Sequence, residues 1–168
     1  DQLLVTRIDN KPTVLVLSRQ PLPTLDRSKY ASAEGVAQGA YVVADAEGGK
    51  PQVILMATGS ELGLAMQAYE QLKDEGVKAR VVSMPCWELF EEQDEAYKQS
   101  VLPDEVLGRV AIEQAGPLGW ERYIGRKGAS VTMSTFGASA PIGKLQAKYG
   151  YTVDNVVKLA KEQAQRSG

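Results

Sequence analysis

Four places in this sequence combine residue type and position in a way that could serve catalysis or ligand binding. Cys86 is the lone thiol. Arg19 follows the apolar run Thr13-Val14-Leu15-Val16-Leu17 and precedes a Pro-Leu-Pro turn. Glu88, Glu91, Glu92, Asp94 and Glu95 form an acidic run. Thr58-Gly59-Ser60-Glu61 turns the chain between an apolar run and an amphipathic stretch. There is no histidine, so the commonest general base and metal ligand is missing. A Ser-His-Asp triad, a Cys-His pair or a His-based zinc site cannot be built from this chain. Neither GxGxxG nor GxxxxGK[ST] occurs, so no dinucleotide or P-loop nucleotide site is signalled.

Taken singly, most of these residues read as structural. With no histidine to activate it, Cys86 reads as a packed, inert thiol. The acidic run reads as a solvated face, since nothing fixes a metal coordination geometry there. Arg19 on its own reads as a surface or structural residue. Trp87, Trp120, Phe90 and Phe136 read as core or interface aromatics. The turn is different. Amides near Gly59, Ser60 and Glu61 leave a helix N-terminus, which attracts anions, and Gly59 lets the backbone approach a ligand closely. A weak anion site is expected there, although Glu61 can itself neutralise the helix end.

The elements that would position these residues centre on Pro51 to Gly76. Val53 to Ala57 is a continuous apolar run, the pattern of a strand covered on both faces. Leu62, Ala65, Met66, Tyr69 and Leu72 follow at helical spacing. Ser60 is placed to cap that helix, and Gly76 to end it. Ala79 to Met84 is a second apolar run, so the stretch is a βαβ unit and implies a parallel sheet. Further strands are predicted at Thr13–Leu17, at Gly39–Ala44, within Val106–Glu113 and at Ala129–Ser134. The six-residue connection after Ala44 is too short for a parallel crossover, so that strand should run antiparallel to the next if the two pair. Glu91–Ser100 reads as a surface helix or helical turns, Gly119-Trp120 opens a short helix to about Gly125, and Pro141 sits in the first turn of another. Thr152 caps a last helix with the face Val153, Val156, Val157, Ala160 and Ala164. Residues 1–10 carry only a weak apolar face. The expected fold is α/β: three layers, with a mixed five-stranded sheet (four parallel strands, one antiparallel edge) covered by helices. Ligands in such sheets gather at the carboxyl ends of the strands.

With 168 residues, the chain is long enough for one domain with a substantial core. A net charge of −2 gives no basic field to draw it to nucleic acid or anionic lipid. No apolar run approaches the roughly 20 residues of a membrane-spanning helix, and no signal-peptide pattern opens the sequence. The lone cysteine rules out an internal disulfide and favours a reducing compartment.

Six strings carry a resemblance that covers nearly the whole chain in order and spacing. They are Leu17-Ser18-Arg19-Gln20, Glu34-Gly35-Val36-Ala37-Gln38-Gly39, Ala57-Thr58-Gly59-Ser60-Glu61, Cys86-Trp87-Glu88-Leu89-Phe90, Gly119-Trp120-Glu121-Arg122-Tyr123 and Phe136-Gly137-Ala138-Ser139-Ala140-Pro141. Together they resemble transketolase. Deoxyxylulose phosphate synthases and the β subunits of oxo-acid dehydrogenases share only the Gly-Ser-Glu turn. Glu113-Gln114-Ala115-Gly116-Pro117 departs locally from the family pattern.

The resemblance implies a thiamine-diphosphate and Mg²⁺ enzyme that moves a two-carbon ketol unit between sugar phosphates, in the pentose phosphate or Calvin pathway. It implies a homodimer of three-domain chains, in the cytoplasm or a plastid stroma. Residues 1–22 would end the pyrimidine-binding domain, 23–35 would be a linker, and 36–168 would be the C-terminal domain. Arg19, by the matching string, would bind the substrate's phosphate in the full enzyme. Residues for the diphosphate, the metal and the activating glutamate would lie in the remainder of that chain. No catalytic residue or metal ligand is therefore assigned here, no bound cofactor is expected, and this stretch alone should be structural, dimer-forming and inactive. The alternative is a stand-alone domain that binds a small anion or a regulatory partner.

Overall fold

The computed structural model describes residues 14–18 and 20–166. The weak apolar face over residues 1–10, and Arg19, lie outside the described residues. Five strands form one sheet: β1 (Tyr41–Ala44), β2 (Val53–Ala57), β3 (Ala79–Ser83), β4 (Arg109–Ile112) and β5 (Ala129–Val131). Their order is β1-β3-β2-β4-β5, with β1 antiparallel to β3 and every other pair parallel. The antiparallel edge strand is as expected, but its neighbour is β3 and not β2. The reason is physical. The link from β1 to β2 cannot cross the sheet, so β2 takes the centre and its βαβ partner β3 presents the free edge that β1 joins.

The described residues form six α-helices, α1 (Glu61–Asp74), α2 (Trp87–Glu91), α3 (Glu95–Val101), α4 (Glu121–Ile124), α5 (Ile142–Tyr149) and α6 (Val153–Ala164), of which α5 buries no residue. Strand alternation splits the core in two. Val53, Leu55, Ala57, Val81, Val110 and Ile112 pack with Ala65, Ala68 and Leu72 of α1 and Val156, Val157 and Ala160 of α6. Ile54, Met56, Val82 and Ala111 face the other way, onto Phe90, Val101, Trp120 and Tyr123 from α2 to α4. Because β2 is buried on both faces, all five of its residues are apolar. Leu72 is fully buried, a placement that contributes about 1.5–3 kcal/mol for such a side chain.

Local signals explain most element ends. Gly76, at φ 77°, closes α1, and the Val77 N–H donates to Leu72 O at 2.8 Å, the glycine-terminated pattern that satisfies the last carbonyls. Thr152 Oγ1 accepts from the Asn155 N–H and caps α6. Pro141 stands one residue before the first turn of α5.

Two expectations need correction. Ser60 does not cap α1: its backbone is already helical, and its hydroxyl donates to Glu61 Oε1 at 2.5 Å instead. Val14–Leu17, expected as a strand outside this five-stranded sheet, is not in strand conformation and lies exposed. The apolar face of α6 packs on the domain's own sheet and on α1. The proline-bearing segment before β1 is also anchored to the domain, since Lys29 Nζ and the Tyr30 hydroxyl both donate to Glu70 Oε1 of α1.

Candidate functional site

The carboxyl ends of β2, β4 and β5 lie side by side and make one rim. At its centre is the turn singled out from sequence. Gly59 takes φ 55°, and Glu61 at the start of α1 is only 5% exposed. Burial pushes the Glu61 carboxyl above the ordinary carboxylate range, against the Ser60 hydroxyl and the Gln114 N–H that hydrogen-bond to it. Glu113, at the end of β4, is raised for the same reason and further by the Glu61 charge, while the Gln114 N–H also hydrogen-bonds to it. The Tyr151 hydroxyl donates to Glu113 O at 2.9 Å, and its pKa is pushed up to about 12 by burial and by the two carboxylates. The chain's own carboxylates therefore stand where an anion at Gly59, Ser60 and Glu61 would compete with them.

Beside this cluster is an open groove of about 770 Å³ lined by Pro117, Leu118, Met133, Ser134, Thr135 and Phe136. Leu118 is 84% exposed and Phe136 98% exposed. Phe136 is thus no core residue. Tyr149 of α5 donates its hydroxyl to Phe136 O at 3.1 Å, which holds the loop backbone while the ring stands outward.

The other aromatics form a packed cluster under α2 and α4. Trp87 meets Trp120 edge-on at 5.0 Å and Tyr123 at 5.3 Å. The acidic run feeds this cluster and is more than a solvated face. Glu91 accepts from the Tyr123 hydroxyl at 2.8 Å and faces Arg122 at 3.3 Å; Asp94 caps α3 through the Tyr97 N–H at 2.7 Å. Burial and the Glu91 hydrogen bond raise the Tyr123 pKa to about 12. Cys86 is half-buried, with Sγ 3.5 Å from Glu88 Oε2. Among the described residues no three His, Cys, Asp or Glu side chains group as metal ligands, and no helix is long and apolar enough to cross a membrane.

Sequence reasoning missed Glu113 and Tyr151 as partners of Glu61, and Leu118 and Met133 as groove residues. Glu113 could have been found from its position directly after the apolar β4 run, level with Thr58 after β2. For the exposed Leu118 and the partly buried Met133, no sequence signal marks which apolar residues line a groove.

Strand order and pairing define an open-sheet α/β domain with a mixed sheet. A family model described as "Transketolase-like TK C-terminal domain" matches residues 39–152. The chain belongs to the transketolase family, through its C-terminal domain. It is 51% identical over 152 residues to the transketolase of Geobacillus stearothermophilus, covering 90% of this chain and 23% of that protein. It is 53% identical over 147 residues to the Aquifex aeolicus transketolase, covering 88% and 21%. The solved Leishmania mexicana transketolase superposes with a TM-score of 0.73 at 46% identity, over 81% of this chain and 19% of that one. A Pichia stipitis transketolase complex with sedoheptulose 7-phosphate gives 0.76 at 33% identity, over 88% and 20%. The chain thus spans about a fifth of the length of the relatives it matches, some of which are chloroplastic and some bacterial.

Proposed function

We propose that this chain is the C-terminal part of a working transketolase, a ketol transferase that acts between sugar phosphates with thiamine diphosphate and Mg²⁺, as a homodimer in the cytoplasm or plastid stroma. The observation that carries the reading is the identity of 51% over 152 residues and 53% over 147 residues to the transketolases of Geobacillus stearothermophilus and Aquifex aeolicus. Thiamine diphosphate supplies the carbanion chemistry. Among the described residues no three His, Cys, Asp or Glu side chains group to hold its metal. No chemical step is therefore assigned to them. This part of the chain supports the architecture, and Arg19 contributes a planar, two-pronged cation suited to a substrate phosphate. Residues 1–22 belong to the preceding domain and 23–35 to the linker.

The test is ketol transfer from a phosphorylated ketose to an aldose acceptor, with thiamine diphosphate and Mg²⁺ supplied. The 168-residue chain should have none, and the complete chain that carries it should be active. In the complete chain Arg19→Ala should raise the donor KM and lower kcat/KM while leaving thiamine diphosphate binding unchanged. Turnover by the 168-residue chain, or an unchanged kcat/KM in the variant, would overturn the corresponding half.

A further inference from the structure

Residues 23–35 read from sequence as a linker, yet residues 23–31 form a strap held on α1 and β1. Pro23 rests on Gly63 in the first turn of α1, where a Cβ on Gly63 would lie 3.3 Å from the proline ring. Leu25 and Tyr30 pack against the core that α1 shares with the sheet. Lys29 Nζ donates to Glu70 Oε1 at 2.8 Å, and the Tyr30 hydroxyl donates to the same oxygen. The turn between these anchors is held from within. Asp26 Oδ1 accepts from the Ser28 N–H and hydroxyl, and Asp26 O accepts from the Lys29 and Tyr30 N–H groups. The Ala31 N–H then donates to Val43 O of β1 at 3.0 Å.

The strap meets α1 at Gly63 and again at Glu70, about two turns further along the same face. An ion pair on an open surface contributes little on its own. Glu70 is better placed than that, because one of its oxygens takes donors from two successive residues and Tyr30 is half-buried. The hydrogen bonds from Lys29 and then Tyr30 hold the Glu70 carboxyl below its ordinary range. It is therefore ionised at neutral pH, and both contacts are charge-assisted. Upstream of Pro23 the chain is stiff. Each of residues 20–23 is a proline or precedes one, which fixes φ at the prolines and keeps the residues before them extended. Arg19 comes four positions before Pro23, within about 14 Å of it along the chain.

We propose that Glu70 is a positioning residue for Arg19: by closing the strap on α1 it fixes the foot of a stiff arm whose other end carries the guanidinium that meets the substrate's phosphate. The proposal rests on the transketolase reading, which gives that contact to Arg19. A guanidinium grips a phosphate in a defined two-pronged geometry, so its alignment depends on where the chain that carries it is held. A released strap lets the arm swing, and the phosphate contact weakens while contacts to the rest of the sugar do not.

Limited trypsin digestion and steady-state kinetics of the complete chain test this together. Trypsin reads the strap, since Arg27 and Lys29 lie in it. Glu70→Ala should speed cleavage after Arg27 and Lys29 by roughly tenfold. The same variant should raise KM for a phosphorylated ketose donor by roughly threefold or more, and leave both KM for an unphosphorylated ketose and thiamine diphosphate binding unchanged. Glu70→Gln, which keeps an acceptor oxygen, should restore part of both effects. In an Arg19→Ala background Glu70→Ala should add nothing to the KM of the phosphorylated donor. Unchanged cleavage overturns the proposal, because Glu70 then does not hold the strap. An unchanged KM for the phosphorylated donor, equal rises for the two donors, or a further rise on top of Arg19→Ala overturns it as well. Ketol transfer by the unaltered complete chain separates the two readings. Its absence overturns the transketolase reading and the positioning role with it; in an active chain, any of these contrary results removes the positioning role alone.

Discussion

Arg80 and Asp45 form a two-pronged ion pair, Nε to Oδ1 and Nη2 to Oδ2, both at 2.8 Å. Arg80 is 6% exposed, and its Nη1 also donates to Ser100 O at 2.7 Å and Val101 O at 3.1 Å. One guanidinium therefore ties β3, the segment after β1, and the C-terminal end of α3. Asp45→Ala removes the carboxylate and leaves a buried cation with carbonyl partners alone. Breaking a fully buried pair costs about 3–5 kcal/mol; with Asp45 partly solvated, about 1–3 kcal/mol is expected. Arg80→Lys should cost a comparable amount, because an ammonium cannot span the same four acceptors. Urea unfolding of both variants checks this, and a midpoint unchanged within error would show that the pair carries no stability.

Gly39 predicts a sharper contrast. Its φ is 83°, and a Cβ there would lie 2.2 Å from the Phe90 nitrogen and 2.4 Å from Cys86 O, both backbone atoms. Gly39→Ala meets the left-handed penalty and a clash that only a shift of α2 can relieve, about 2–4 kcal/mol in all. Gly48 has φ 79° with open space around it, so Gly48→Ala should cost only the conformational term, about 1–2 kcal/mol. Equal losses in thermal unfolding would exclude the clash as the cause.

These examples show where the sequence is legible. The β2-α1-β3 unit, the four parallel strands and the Gly76 and Thr152 boundaries follow from apolar period and turn chemistry, both local. Arg80 lies inside a run read as apolar, because a strand pattern carries no mark for a cation whose partners are 20 and 35 residues away. The pairing of β1 with β3 depends on which sheet edge is free, a property of the assembled sheet. Ser60 has the right type and position for a cap, yet the nearby Glu61 carboxylate takes its hydroxyl. At the candidate site the turn itself is readable, while Glu113 and Tyr151 reach it only through the tertiary fold. The exposure of Phe136 is equally non-local, since the same aromatic string reads as core or interface.

Gln163 is a place where the fold is not optimal. Its side chain is 3% exposed, and Oε1 is buried with no hydrogen-bond partner among the described residues. A buried acceptor left unpaired costs about 1–3 kcal/mol. Gln163→Met keeps the length and removes the amide, so it should stabilise the domain by about 1 kcal/mol, roughly 3 °C in Tm for this size. A lower Tm would mean that the amide is satisfied in solution.

The rim carboxyls predict a pH dependence with a defined sign. Glu61 is held above its ordinary 4.5 chiefly by burial, and Glu113 by burial and then by the Glu61 charge. A carboxyl raised on folding binds its proton more tightly in the native state. Its contribution is fully present below the unfolded value near 4.5 and is lost as pH rises through the raised native value. Glu75 works in the opposite sense, since its hydrogen bond to Lys161 lowers it; its contribution is present above 4.5 and fades as pH falls. The total pH profile mixes both, so the difference between wild type and variant is the useful quantity. Glu61→Gln should gain stability relative to wild type as pH climbs from 4.5 to 7, because the amide needs no charge desolvated and Glu113 loses its repulsive neighbour. Glu75→Gln should lose stability relative to wild type over the same interval. Chemical unfolding at four or five pH values measures both slopes. Slopes of the same sign would show that Glu61 is solvated or charge-compensated in the native rim, and that its burial does not govern its proton.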